Sequence, residues 1–141
     1  MGALGLIGGG LMGTAIIKGL LKQGYPAAEI YVADPDPSRR QHLAELGVET
    51  FADHQGMLTA LTRREADGVL LAVKPQNVPE SLAGLNLAGL PLLSIVAGYK
   101  IAALEALLPA KTKVLRAMPN TPALIGAGIT ALALGAQSGT K

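Results

Sequence analysis

The chain has no cysteine and no tryptophan, and its 141 residues include one phenylalanine, three tyrosines and two histidines. Without thiols there are no disulfides and no cysteine metal sites. His42 and His54 stand in no ligand pattern, so each is expected to be a solvated helix or loop residue, and no metal is expected. Charged residues make up 16% of the chain and sum to +2, with the basic ones scattered rather than gathered into a stripe. That distribution argues against a nucleic-acid partner. Residues 1–17 carry no charge, but their six glycines and the missing basic leader argue against a signal peptide or a membrane span. The expected location is the cytoplasm. Neither a repeat nor a low-complexity tract is present.

Aliphatic residues are what the chain has in excess. Half of it is hydrophobic and the mean hydropathy is +0.39. A core of Leu, Ala, Val and Ile suits a parallel sheet buried on both faces, and the length suits one domain with its own core.

The pattern turns on the first two dozen residues. An apolar run from Ala3 to Ile7 leads into Gly8-Gly9-Gly10-Leu11-Met12-Gly13, and Ala15, Ile16, Gly19 and Leu20 then recur at helical spacing. The reading is buried strand, tight turn, helix. Gly8 would supply a positive φ, Gly10 would leave room for a pyrophosphate, and Gly13 would let the helix lie close on the strand. Phosphates would rest on the helix's unpaired N–H groups. G-x-G-x-x-G alone is weak among 18 glycines, but the flanking strand and helix and an acidic residue, Asp34, raise it to a dinucleotide site.

Further strands are expected over Glu29–Ala33, Val48–Phe51, Gly68–Val73, Leu92–Val96, Lys113–Met118 and Ile129–Leu134. Gly68–Val73 is expected at the centre of the sheet. Helices are expected from a Ser38-x-x-Gln41 capping box through Leu46, over Asp53–Leu61, Val78–Leu85 and Ile101–Leu108, with Thr62–Asp67 a charged connection. The alternation implies an α/β, Rossmann-type, doubly wound, mostly parallel sheet with helices on both faces. The domain is expected to span 1–134, followed by a polar tail, 135–141.

Ligands in such sheets bind beyond the carboxyl ends of the strands. Asp34 lies about 20 residues beyond the glycine loop, where a carboxylate accepts from an adenosine ribose hydroxyl. Taken alone it favours NAD(H). Arg39 and Arg40 follow closely and suit a 2′-phosphate, which favours NADP(H). Alternatively Asp34 opens a turn with Pro35 and the arginines are solvated. Lys74-Pro75 ends the central strand, where Lys74 would neutralise phosphate, orient the nicotinamide ribose or simply reach water. Asn120 is held between two prolines on a stiff loop, as a ligand contact or a turn cap. Nothing pairs a nucleophile with a base, so any reaction belongs to the cofactor.

Together these stretches resemble one family, the pyrroline-5-carboxylate reductases, which reduce a cyclic imine to proline with NADPH or NADH. The resemblance rests on Ile7 to Gly13, Ala72-Val73-Lys74-Pro75-Gln76, Ser94 to Gly98 and Arg116 to Gly128. It implies that Gly8, Gly9, Gly10, Leu11, Met12 and Gly13 hold the pyrophosphate. Ala72, Val73, Lys74 and Pro75 would line the ribose, with Ala97 and Asn120 near the nicotinamide. Leu11 stands where the family often has asparagine, leaving the backbone to bind. The resemblance also implies a homo-oligomer and a helical second domain that completes the pocket for the imine acid. None of that domain is visible here, so the chain alone is expected to turn over poorly or not at all. The rival expectations are a non-catalytic dinucleotide-binding module and a related imine or hydroxyacid reductase.

Overall fold

The computed structural model describes residues 2–116. The Asn120 loop, the strand expected over Ile129–Leu134 and the boundary at residue 134 lie outside them.

β1 (Ala3–Ile7) is buried along its whole length, and its residues point alternately to two cores. Ala3 and Ile7 face one layer, Leu4 and Leu6 the other, as the two-residue period of a strand requires. α1 (Leu11–Lys22) follows, burying Gly13, Ile16, Ile17, Gly19 and Leu20. Then come β2 (Ile30–Ala33), α2 (Pro37–Ala44), β3 (Glu49–Phe51), α3 (His54–Leu61) and β4 (Ala66–Leu71). α4 (Val78–Leu82), β5 (Leu92–Ser94), α5 (Ile101–Leu107) and β6 (Val114–Arg116) complete the described chain.

The six strands form one sheet of order β3-β2-β1-β4-β5-β6, and every described pairing is parallel. β1 and β4 lie at its centre, as expected for the Gly68–Val73 run. α1 and α2 cover one face through Ile16, Ile17, Leu20 and Leu43. α3, α4 and α5 cover the other through Met57, Leu61, Val78, Leu82 and Leu104. This is the doubly wound α/β arrangement, and the chain moves to the other side of β1 between β3 and β4. That reversal opens a crevice at the carboxyl ends of β1 and β4.

Several boundaries differ from expectation. Ser38 does not cap α2. Asp36 does, its carboxylate accepting from Ser38 N at 2.8 Å and Arg39 N at 3.4 Å, with Pro37 in the first turn. Proline's fixed φ and missing N–H suit that position, which draws the start of the helix forward. β4 takes its first two residues from the charged connection, because Ala3 pairs with Ala66 before the register shifts and Leu4 meets Gly68. α4 stops at Leu82, and Gly84 at φ +71° turns the chain away. No described helix is long and apolar enough to cross a membrane.

Candidate functional site

The crevice is a cleft of about 790 Å³, and it gathers most of the residues the motifs singled out. Gly8, Gly10, Leu11 and Met12 line one side, Asp34 and Arg39 a second, and Ala72, Val73 and Lys74 a third. Each set follows the end of a different strand: β1, β2 and β4.

Backbone bonds align those three ends. Gly8 N donates to Ala33 O at 3.0 Å and Ala72 N donates to Ile7 O at 2.9 Å. Gly8 adopts φ +107°, and a Cβ there would lie 2.7 Å from Ala72 O. A Cβ on Gly13 would lie 2.1 Å from Gly8 O, so α1 runs as close to the loop as backbone permits. Gly10 differs from both. Its Cβ position meets only the Arg39 guanidinium, at 3.7 Å, and is otherwise open.

Gly10 is also the N-cap of α1, and no side chain caps it. No acidic residue lies in the first turn. Helix geometry leaves the N–H groups of Leu11, Met12 and Gly13 without intrahelical partners. They form the positive end of the helix beside the cleft, suited to an anion approached by backbone alone. Leu11 is 95% exposed and contributes its main chain rather than its side chain.

Asp34 is buried, at 2% exposure. Its Oδ2 accepts from Gly9 N at 2.7 Å and its Oδ1 from Asp36 N at 2.8 Å. The Arg39 guanidinium stands 3.6 Å from Asp34 Oδ2 and 3.8 Å from Asp36 Oδ2. Arg40 Nη1 donates to the Asp34 carbonyl at 2.8 Å, and Arg40 does not line the cleft. Lys74 is exposed at the far wall. Pro75 and Ala97 are exposed but do not line the cleft, and Gly9 and Gly13 lie behind it.

Asp53, His54, Asn77, Glu80 and Ser81 also line the cleft and were not singled out. The break after Lys74 was a usable signal for Asn77, Glu80 and Ser81, since a helix starting there begins at the same sheet edge. His54 is partly buried in the first turn of α3 rather than solvated. Its Nε2 lies 2.9 Å from Ala83 O, which ties α3 to the end of α4. No sequence spacing announces that contact. Among the described residues no group of three His, Asp or Glu side chains is placed to hold a metal ion.

The parallel sheet, the glycine turn at its switch point and the uncapped helix define a dinucleotide-binding α/β domain of the Rossmann type. The sequence pattern of the family described as NADP oxidoreductase, coenzyme F420-dependent, matches residues 3–98, and the chain belongs to that family. It is similar to pyrroline-5-carboxylate reductases, as the motifs implied. Identity is 44% over 132 residues to that of Haemophilus influenzae and 45% over 130 residues to that of Pasteurella multocida. These matches cover 92% and 89% of this chain but 47% and 46% of those proteins. The chain therefore spans about half the length of the curated relatives it matches. The solved pyrroline-5-carboxylate reductase of Coxiella burnetii matches with a TM-score of 0.71 at 28% identity, over 88% of this chain and 46% of that one.

Proposed function

We propose that the chain is the cofactor-binding part of a pyrroline-5-carboxylate reductase and binds NADP(H) in the cleft. The observation that carries the reading is the uncapped N-terminus of α1 opening beside Gly10, where a Cβ would meet no protein atom closer than 3.7 Å. A pyrophosphate fits there because the donors are backbone N–H groups and the space is free of side chains. Family membership and the similarity to pyrroline-5-carboxylate reductases supply the reaction.

When bound, the nicotinamide would supply the hydride for the carbon of an already protonated imine C=N bond. The chain's own part is to bind and orient. Gly8 to Gly13 cradle the pyrophosphate, with Gly9 and Gly13 acting from behind the loop. Arg39 faces the adenosine end. Ala72, Val73 and Lys74 would carry the nicotinamide ribose from the cleft wall, and Pro75 would fix the exit of the chain behind them. By resemblance Ala97, outside the cleft lining, and Asn120, outside the described residues, would belong to the nicotinamide end. The substrate of the whole enzyme is the cyclic imine acid, and homo-oligomerisation is carried over with it.

Titration of the 141-residue chain with NADPH, followed by nicotinamide fluorescence, tests the binding claim. Saturable binding with a Kd below about 1 mM is expected. No binding of NADPH or NADH in that range would contradict it.

A further inference from the structure

We propose that Asp34 is a positioning residue that clamps the glycine loop, not the reader of the adenosine ribose, and that Arg39 takes the 2′-position. The site thereby prefers a 2′-phosphorylated dinucleotide. This rests on the cofactor reading above.

A carboxylate at the end of the second strand reads a ribose by offering its oxygens to adjacent hydroxyls. Asp34 Oδ2 accepts from Gly9 N at 2.7 Å and Oδ1 from Asp36 N at 2.8 Å, so each oxygen keeps a further lone pair but is tied to backbone inside the protein. Its main chain is committed as well: the N–H donates to Phe51 O at 2.9 Å and the carbonyl accepts from Arg40. With 2% of its surface exposed, it offers a ligand little. What it does hold together is the loop after β1 and the turn after β2, the two segments that flank the pyrophosphate and the adenosine ribose.

Gly9 gives independent support. A Cβ at that position would lie 2.6 Å from Leu43 Cδ1 and 3.1 Å from Asp34 Oδ2. Position 9 is thus glycine so that its N–H can reach the carboxylate, whereas position 10 is glycine on the open side of the loop. The clamp and the phosphate cradle use different glycines.

Arg39 is placed differently from Arg40. Arg40 is tied to the Asp34 carbonyl. The Arg39 side chain is 52% exposed, lines the cleft beside Gly10, and stands 3.6 and 3.8 Å from its two carboxylates. Those separations exceed hydrogen-bond length. The guanidinium is ion-paired with both carboxylates but hydrogen-bonded to neither, so its N–H donors can turn to a phosphate, which they match in bidentate geometry.

The test compares NADPH and NADH affinities of the unchanged chain with those of Asp34→Ala, Asp34→Asn and Arg39→Gln, and measures amide exchange without cofactor. Losing a charge-assisted clamp is expected to weaken both cofactors in Asp34→Ala by about tenfold, their ratio unchanged. Asp34→Asn keeps one accepting oxygen and should recover part of the loss. Arg39→Gln should weaken NADPH by about tenfold and NADH little. In the cofactor-free chain, Asp34→Asn should speed exchange at Gly9 and Asp36 more than at Gly8, whose N–H bonds Ala33. Selective loss of NADH in the Asp34 variants, or unchanged exchange at Gly9, would overturn the proposal. Failure of the unchanged chain to bind either dinucleotide would overturn the cofactor reading and the Arg39 assignment with it, while the exchange result would still decide the clamp.

Discussion

Residues 10 and 13 carry the same side chain for opposite reasons. A Cβ on Gly13 would be driven against the Gly8 carbonyl at 2.1 Å, while one on Gly10 would make ordinary contact at 3.7 Å. Gly13→Ala is therefore expected to cost about 1–3 kcal/mol of stability or more, read from thermal or denaturant unfolding. Gly10→Ala should cost less than about 1 kcal/mol and act on NADPH affinity, because its methyl would occupy the ligand's side of the loop. Equal unfolding midpoints for the two variants would contradict this division. The positive φ of Gly8, the open space at Gly10 and the close approach at Gly13 were legible in the sequence because they follow from backbone geometry within one turn. The role of Gly9 was not, since its constraint comes from Asp34, at a strand end 25 residues away, and from Leu43, on a helix further along the chain.

Among the elements, the strands were legible as apolar runs and the helices as periodic segments, but their ends were not. A strand stops where its neighbour stops offering partners, so β4 runs Ala66–Leu71 beside β1 although the apolar run extends to Val73. Helix starts depend on which of several capping residues wins. At α2, Asp36 with Pro37 displaces Ser38. Asp36→Ala is expected to cost about 1 kcal/mol, whereas Ser38→Ala should be nearly neutral, in paired unfolding curves. The opposite order would restore Ser38 as the cap. Asp36 also stands 3.8 Å from Arg39, so its loss should loosen the guanidinium as well as the helix.

At the scale of the molecule, binding and stabilising chemistry occupy opposite ends of one sheet. Open donors collect at the carboxyl ends of the strands, around Gly10, Arg39 and Lys74. The amino ends are closed: Tyr25 donates to Gly2 O, Gly2 N to Asp67, and Arg64 pairs with Glu29 and Tyr31. The groups with shifted protonation belong to that closed end. Burial, aided by the carboxylates of Asp67 and Glu29, pushes the Tyr25 phenol up to about 12. The Tyr31 hydroxyl, with Glu29, raises Arg64 above the usual guanidinium value. The overall topology was legible because alternating strands and helices leave few arrangements. The part of the cleft lined by Asp53, His54 and Glu80 was not, because it forms only where the start of α3 meets the end of α4 through the contact of His54 with Ala83 O.

The central claim is that a dinucleotide lies across the switch point between β1, β2 and β4. The most direct measurement is amide chemical-shift mapping of the chain on titration with NADPH. Changes are expected to concentrate at Gly8 to Gly13, at Asp34 to Arg39 and at Ala72 to Lys74, with Tyr25, Arg64 and Asp67 unmoved. Changes centred on the amino ends of the strands, or none at saturating NADPH, would contradict it.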